Sequence, residues 1–501
     1  MINRGIGDWI HRRRIKSAGN VAVISAAGEL TYDDWAVRID RLADALSQRG
    51  VRQGDRVAYL GENYPSFLEA LFAVGSLGAV FVPLNTRLAP PEITFALNDS
   101  GSTVLLASAT MEPLAVAGSR GTGVGLLALV QDGTPVRAER RDGDLEAVDY
   151  EQLLAGGEPV RADVAVGLDD LAIILYTSGT TGKPKGAMLT HGNLTWNSFN
   201  VITDMDIMSD SVSLMIAPMF HVASLGMGAL PTLLKGGTLV LEPRFEPGRV
   251  LELIEKYRAT FISGVPTTYQ LLAEHPDWES ADISSLRNLT CGGSAVPLRV
   301  LEAYEKKGLS FTNGYGMTET SPGATTLPAR YSRPKQGSSG LQQFHTFVRI
   351  VDPMGQVCAP GEVGEIQVQG PNVIKAYWNR EDATRDSFVE AEDGSWLKTG
   401  DMGYRDEEGF VFISDRLKDM IISGGENIYP AQVEQEISQL EAVAAVAVIG
   451  VPDEKWGEVP KAVIVVREGH ELTEEQVIGH LNGKLARYKI PKSVVFTEEM
   501  P

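Results

Sequence analysis

The stretch Tyr176-Thr177-Ser178-Gly179-Thr180-Thr181-Gly182-Lys183-Pro184-Lys185-Gly186 places hydroxyls, glycines and two lysines directly after an apolar run. Glycines let backbone N–H groups approach an anion, the Ser and Thr hydroxyls add donors, and the lysines bring compensating charge. That is chemistry for a phosphate. The spacing is not that of a Walker loop, because Pro184 stands five residues past Gly179 where a Gly-Lys pair is required. An ordinary surface loop is the lesser reading, since these turn-forming residues end in lysines behind a strand that reads as buried.

A second segment, Asn313-Gly314-Tyr315-Gly316-Met317-Thr318-Glu319, also follows an apolar run. Its Gly-x-Gly would suit a dinucleotide fold, but Glu319 occupies the place of the third glycine. Tyr315 can stack on a base, Thr318 can bond a phosphate oxygen and Glu319 can hold Mg²⁺. Taken alone, the heptapeptide is as often a structural turn as a site. Further on come Thr399-Gly400-Asp401, Asp415-Arg416-Leu417-Lys418-Asp419 and Ser423-Gly424-Gly425-Glu426-Asn427. An aspartate after a tight turn can accept from ribose hydroxyls, and an arginine offers a fixed donor fork. Each could equally be a surface ion pair.

The elements that must position these segments read as α/β. From about Leu30 to Val250, apolar runs alternate with amphipathic ones: a strand at Arg56 to Leu60, a helix at Ser66 to Leu77, a strand at Ala79 to Pro83. The rhythm continues with a strand at Ala172 to Tyr176 and a helix at Gly192 to Val201, then a strand at Thr238 to Leu241 and a helix at Pro247 to Tyr257. Ligands of such sheets sit outside the strand C-termini. Between Gly340 and Gly370 the texture becomes short and β-rich, predicting a small barrel-like subdomain. After Arg416 an α+β pattern follows: helix from Pro430 to Leu440, strands at Val443 to Ile449 and Ala462 to Val466, helix from Thr473 to Leu485. A domain boundary is expected near Lys418, giving domains of residues 1–417 and 418–501.

At 501 residues the chain exceeds one ordinary core, and its 43% hydrophobic and 22% charged residues are those of a globular protein. A net charge of −20 argues against a nucleic-acid partner. Arg12, Arg13 and Arg14 read as the solvated face of a first helix. Cys291 and Cys358 make no disulfide framework and no zinc spacing, which fits a reducing cytosol. No signal-like or membrane-spanning run is present, the most apolar stretch, Phe67 to Leu84, being broken by Glu69 and glycines. Oligomeric state stays open, a homodimer included.

In this order the motifs resemble the adenylate-forming superfamily of acyl-CoA synthetases, 4-coumarate-CoA ligases, luciferase and peptide-synthetase adenylation domains. The resemblance runs from about Leu30 to Pro501. It implies a large domain carrying ATP and a small mobile lid, with ATP, Mg²⁺ and coenzyme A as cofactors and a small carboxylic acid as substrate. It implies a phosphate loop at Thr177 to Lys185 and an adenine site at Gly293, Ser294, Ala295 and Tyr315. Thr318 and Glu319 would contact the α-phosphate and Mg²⁺, and Asp401 and Arg416 the ribose.

Ala217-Pro218-Met219-Phe220-His221 is similar to the family's acyl-site motif, which gives His221 the role of bordering the carboxylate and gating the thiol. Without the resemblance, a lone histidine after an apolar run is more often a satisfied core residue. Ala223, Met227 and Gly316 would border the acid. Lys418 would be the hinge of the lid, Gly424 and Gly425 would line the pantetheine tunnel, and Arg244 would meet a CoA phosphate. The Met420 to Pro430 segment is most similar to fatty-acyl and aryl-acid CoA ligases.

The family's pattern continues with a Gly-Lys motif whose lysine bridges carboxylate and α-phosphate. This sequence ends at Glu499-Met500-Pro501, and neither Lys489 nor Lys492 stands in the matching position. Either the sequence stops short of that lysine or the chain is impaired in its first half-reaction. The expected activity is acyl-AMP formation followed by transfer to CoA. The alternatives are an adenylating enzyme with a non-CoA acceptor and a nucleotide-binding protein without turnover.

Overall fold

The computed structural model describes residues 2–131, 140–142, 145–177, 184–293, 296–416, 419–423, 426–453, 456–482, 484–485 and 487–500. They form two compact units: one of Met1–Gln336, Gly340–Phe347 and Gln369–Ser395, the other of Gly337–Ser339, Val348–Val368 and Trp396–Pro501.

The first unit holds two sheets. One runs in the order Lys185–Thr190, Leu171–Thr177, Val80–Leu84, Arg56–Leu60, Val104–Ser108, Leu126–Val130, Leu145–Asp149, Arg140–Asp142. Its inner strands are parallel, and Val80–Leu84, Val104–Ser108 and Leu126–Val130 are buried along their whole length. Continuous apolar runs are what a parallel sheet covered on both faces demands. The cover comes from helices with local start signals. Tyr32–Gln48 begins at Thr31, whose side chain accepts the Asp34 N–H, and Pro65–Ser76 carries proline in its first turn.

The other sheet is ordered Leu341–Gln342, Gly323–Leu327, Phe311–Gly316, Asn288–Cys291, Phe261–Gly264, Val212–Met215, Thr238–Leu241, Val21–Ser25, Gly28–Thr31. Parallel registers pair Gly264 with Cys291 and Cys291 with Asn313, so three strand C-termini end along one edge. The segment Asn313 to Glu319 therefore leaves the sheet where ligands of such folds bind.

One expectation changes. After Leu171–Thr177 the chain does not pass from a loop straight into a helix: Lys185–Thr190 returns antiparallel, pairing Lys185 with Thr177. The two strands form a hairpin. The helix then starts at His191, with a reciprocal cap between Thr190 and Asn193, and runs to Met205. The first helix, Trp9–Ser17, also differs in detail, because its arginines are tied down. Arg12 pairs with Asp8, Arg14 with Asp33, and Arg13 donates to the Leu234 carbonyl.

His191 is buried, and its Nδ1 accepts the Ile6 N–H at 3.1 Å. Burial lowers its pKa from 6.5 to about 4. The unfolded chain therefore takes up the proton first as the solution is acidified. Stability is full above about pH 6.5, declines as pH falls through that value, and stops declining below about 4, a loss of roughly 3 kcal/mol. His11 is lowered to about 4 as well, but Asp40 beside it is raised to about 6 and works in the opposite direction, so His191 is the cleaner reporter. Thermal midpoints measured from pH 7 to pH 5 should fall less steeply in His191→Asn, which keeps an acceptor for Ile6. Parallel slopes would show that His191 is not the titrating group.

In the second unit, Gly364–Gln369 and Val411–Arg416 both pair antiparallel with Gly394–Arg405. A further sheet is ordered Glu426–Ile428, Ile421–Ser423, Gly457–Val466, Val443–Asp453, with Ser493–Thr497 parallel to Gly457–Val466. Helices Pro430–Ile437 and Glu474–Leu481 bury Val433, Ile437, Val477 and Leu481 with Ile421, Val448 and Ile464. The α+β expectation for this region holds. Both cysteines are free thiols, and among the described residues no helix is long and apolar enough to cross a membrane.

Candidate active site

The hairpin Leu171–Thr177 and Lys185–Thr190 holds Thr177 opposite Lys185, with the Thr177 hydroxyl donating to the Lys185 carbonyl at 3.3 Å. One residue back, the Tyr176 hydroxyl donates to Asp99 Oδ2 at 2.7 Å and anchors the strand. Ser178, Gly179, Thr180, Thr181 and Gly182 of the turn lie outside the described residues. Thr177 and Lys185 thus mark the two sides from which that turn springs.

Glu319 sits in a short turn, Thr318–Thr320, beyond the strand Phe311–Gly316. A third segment ties it to the hairpin. The Ile374 N–H donates to the Glu319 carbonyl at 2.9 Å, while the Met188 N–H donates to the Ala376 carbonyl and the Trp378 N–H to the Gly186 carbonyl. Asn372 reinforces this by donating to the Thr320 and Gly323 carbonyls at 2.7 Å each. The Tyr377 hydroxyl donates to Glu319 Oε1 at 2.6 Å, and the Lys185 ammonium lies 5.3 Å from the centroid of the Tyr377 ring. Burial, then the carboxylate, push the Tyr377 phenol far above its ordinary range, so it stays a donor. The residues flanking the first motif and the carboxylate of the second are brought together by a segment that carries neither.

The Glu319 carboxylate fits a divalent cation. The residue is 6% exposed, and among the described residues Oε1 accepts only Tyr377 and no cationic side chain forms an ion pair with it. No three His, Cys, Asp or Glu side chains among the described residues form a cage. A cation held by one carboxylate, with water and phosphate oxygens completing its shell, matches the habit of Mg²⁺.

Asn313 fits a nucleobase: its Oδ1 is buried and among the described residues accepts no hydrogen bond, an acceptor suited to an exocyclic amino group. Tyr315 is half-buried two residues on, and Gly293 projects from the neighbouring strand end with φ +84°, open to solvent beside Val265. Ser294 and Ala295 lie outside the described residues. The Met317 N–H donates to the Pro322 carbonyl at 3.0 Å, and Thr320 closes the turn onto Met317 and Pro322. From the helix His191–Met205, Asn197 accepts the Gly323 N–H and donates to the Gly226 carbonyl.

His221 is placed by Asn63, which was not foreseen. Asn63 Nδ2 donates to the Ala217 carbonyl at 2.9 Å and the Met215 carbonyl at 3.1 Å, and its Oδ1 accepts the Met219 N–H at 2.9 Å. The loop so clamped delivers His221 to the start of a helix that widens into a π turn at Leu225–Ala229 before continuing as Leu230–Lys235. Such π turns recur at functional sites. His221 reaches solvent from a recess whose walls, then Arg87, lower its pKa below 6.5, favouring neutral imidazole near pH 7. Ala223 is exposed, while Met227 packs toward Val201, Met205 and Ile207. The Arg244 guanidinium is exposed, 4.0 Å from Glu62.

Within the second unit, Asp401 pairs in register with Arg416, and Gly400 takes φ +73° between Thr399 and Asp401. The Thr399 hydroxyl donates to the Ile366 carbonyl and accepts the Asp401 N–H, fixing that turn. Lys418, Gly424 and Gly425 lie outside the described residues.

Sequence reasoning missed Tyr377, Asn372 and Asn63. Lys375-Ala376-Tyr377-Trp378-Asn379 has no period of its own, and only its pairing with Lys185–Thr190 gives it meaning. A signal did exist in Asn193, Asn197 and Asn200, three amides on one face of a helix whose apolar neighbours read as buried.

The AMP-binding enzyme family matches residues 11–378, and its C-terminal domain matches residues 432–501. The chain is 48% identical to a feruloyl-CoA synthase of Amycolatopsis sp, over 100% of this chain and 96% of that one. It is 41% identical to an indoleacetate–CoA ligase of Aromatoleum aromaticum, over 99% and 95%. Among solved structures, o-succinylbenzoate coenzyme A synthetase from Bacillus subtilis in complex with ATP and magnesium ion superposes with TM-score 0.86 at 34% identity, covering 99% of this chain and 96% of that one.

Proposed function

This chain belongs to the AMP-binding enzyme family and is an AMP-forming acyl-CoA synthetase, and we propose that its acid is an arylpropenoic acid of the ferulate type. The observation that carries the choice of acid is the full-length similarity to feruloyl-CoA synthase, supported by that to a second aryl-acid ligase. The chemistry is compatible: a conjugated aryl acid is rigid and planar, loses little torsional freedom on binding, and packs against a peptide plane bare of a side chain such as that of Gly316.

In the first step a carboxylate oxygen attacks the α-phosphorus of ATP, the bond to the β-phosphate breaks and pyrophosphate leaves. Lys185 and the turn from Thr177 hold the phosphates, and Thr318 donates to the α-phosphate. Glu319 is the ligand for Mg²⁺, which supplies charge neutralisation on the phosphate oxygens. Gly293, Ser294, Ala295, Asn313, Gly314 and Tyr315 take the adenine, and Asp401 and Arg416 the ribose. Catalysis is positioning and electrostatics. In the second step the CoA thiolate attacks the acyl carbon and AMP leaves. Residues 418–501 turn about Lys418 for that step, His221 borders the acyl carbon, Gly424 and Gly425 line the thiol's path, and Arg244 meets a CoA phosphate.

A panel of ferulic, 4-coumaric, indoleacetic, 2-succinylbenzoic and octanoic acids, assayed for pyrophosphate and thioester with and without CoA, tests the acid. The largest kcat/KM is expected for the two phenylpropenoic acids. A preference of tenfold or more for octanoic acid would overturn the choice, since one pocket contact is worth about that much.

A further inference from the structure

We propose that Tyr377 is a positioning residue for the first half-reaction, keeping the Glu319 carboxylate oriented for Mg²⁺ and apart from the Lys185 ammonium. This rests on the roles given above to Glu319 and Lys185. The Tyr377 hydroxyl is committed to Glu319 Oε1 at 2.6 Å. That bond fixes one carboxylate oxygen and leaves Oε2 for the cation.

The ring does a second job. Glu319 is 6% exposed and has no cationic partner among the described residues, yet the Lys185 ammonium lies 5.3 Å from the Tyr377 centroid. A lysine and a buried carboxylate that share one aromatic neighbour attract each other as opposite charges. Here the aromatic face takes the ammonium and the hydroxyl takes the carboxylate. A direct Lys185–Glu319 pair would neutralise the metal ligand and withdraw the lysine from the phosphates. The backbone makes the spacing durable, since Tyr377 is bridged to Ala187 and its N–H is held by the Thr384 hydroxyl at 2.9 Å.

Tyr377→Phe removes the hydroxyl and keeps the ring. Partners that orient a metal ligand contribute on the order of tenfold or more in metal affinity. The full chain with α,β-methylene-ATP, titrated with Mn²⁺ and followed by the electron paramagnetic resonance of free Mn²⁺, should therefore show about tenfold weaker binding in the variant. In ferulate-dependent pyrophosphate exchange, the Mg²⁺ concentration for half-maximal rate should rise by about the same factor, with the rate at saturating Mg²⁺ recovering to within about twofold. Wild-type Mn²⁺ affinity in Tyr377→Phe, or a rate loss there that saturating Mg²⁺ does not recover, overturns the proposal. Glu319→Gln separates the two levels. If it also binds Mn²⁺ like wild type, the assignment of Glu319 to the metal falls and takes the proposal with it. If it alone loses Mn²⁺, only the role of Tyr377 falls.

Discussion

Glu319→Gln is expected to lower acid-dependent ATP–pyrophosphate exchange about a hundred- to a thousandfold, roughly 3–4 kcal/mol of transition-state stabilisation, while leaving the fold at least as stable as before. The two halves of this expectation come from the same observation. Glu319 is nearly buried, and its only described side-chain partner is the Tyr377 hydroxyl at 2.6 Å. A buried carboxylate without a cation costs stability in the unliganded protein, so an amide of the same shape, still accepting from Tyr377, removes that cost. In the loaded enzyme the position reverses. The cation has no ready-made cage to fall back on, since no three His, Cys, Asp or Glu side chains among the described residues cluster to hold one. Thermal melts and pyrophosphate exchange on one preparation check both halves. Retained exchange would remove Glu319 from the metal, and a lowered melting point would mean that its charge is compensated in the resting fold.

How much of this was legible in the sequence follows from how local each cause is. The strand Arg56–Leu60, the strand Thr238–Leu241 and the helix Pro247–Tyr257 were placed to the residue. Each is written in its own apolar period and bounded by its own turn or proline. The strand Lys185–Thr190 was missed because a hydroxyl-rich turn before it and a helix cap after it leave only a few residues of pattern, with Gly186 interrupting them. Gly186 is there for space: a Cβ would lie 2.7 Å from the Ile174 side chain and 3.3 Å from Trp378. The site shows the same division. Glu319 and Lys185 were legible because their residue types and flanking glycines carry a chemical meaning. Tyr377 was not, since its meaning lies in a bridge to Ala187, about 190 residues earlier in the chain. Asn63 is the same case, reaching a loop more than 150 residues away.

The second large effect concerns a residue that touches nothing in the reaction by way of a side chain. Gly316→Ala is expected to reduce pyrophosphate exchange by about a hundredfold or more and to destabilise the first unit by roughly 1–3 kcal/mol. Gly316 has no left-handed φ, so the backbone conformation would accept alanine. Space would not. A Cβ there would stand 1.7 Å from the Pro322 carbonyl oxygen and 2.8 Å from its carbon. These are backbone atoms, unable to swing aside as a side-chain tip would, and the Met317 N–H is bonded to that same oxygen at 3.0 Å. Retreat is closed on the far side, where Gly226 lies so near that a Cβ on it would meet the Ser321 carbonyl at 2.6 Å. The turn Thr318–Thr320 must therefore shift, carrying Glu319 out of line with Lys185, and a displacement of about 1 Å at reacting groups is enough for a hundredfold loss. Gly308→Ala is the control: φ is +76° with nothing within 4 Å of a Cβ, so it should cost about 1–2 kcal/mol of backbone strain and leave exchange unchanged. Urea midpoints and exchange rates on both variants separate crowding from strain. If Gly316→Ala lost no more activity than Gly308→Ala, the packing of Gly316 against Pro322 would not be what holds Glu319 in place.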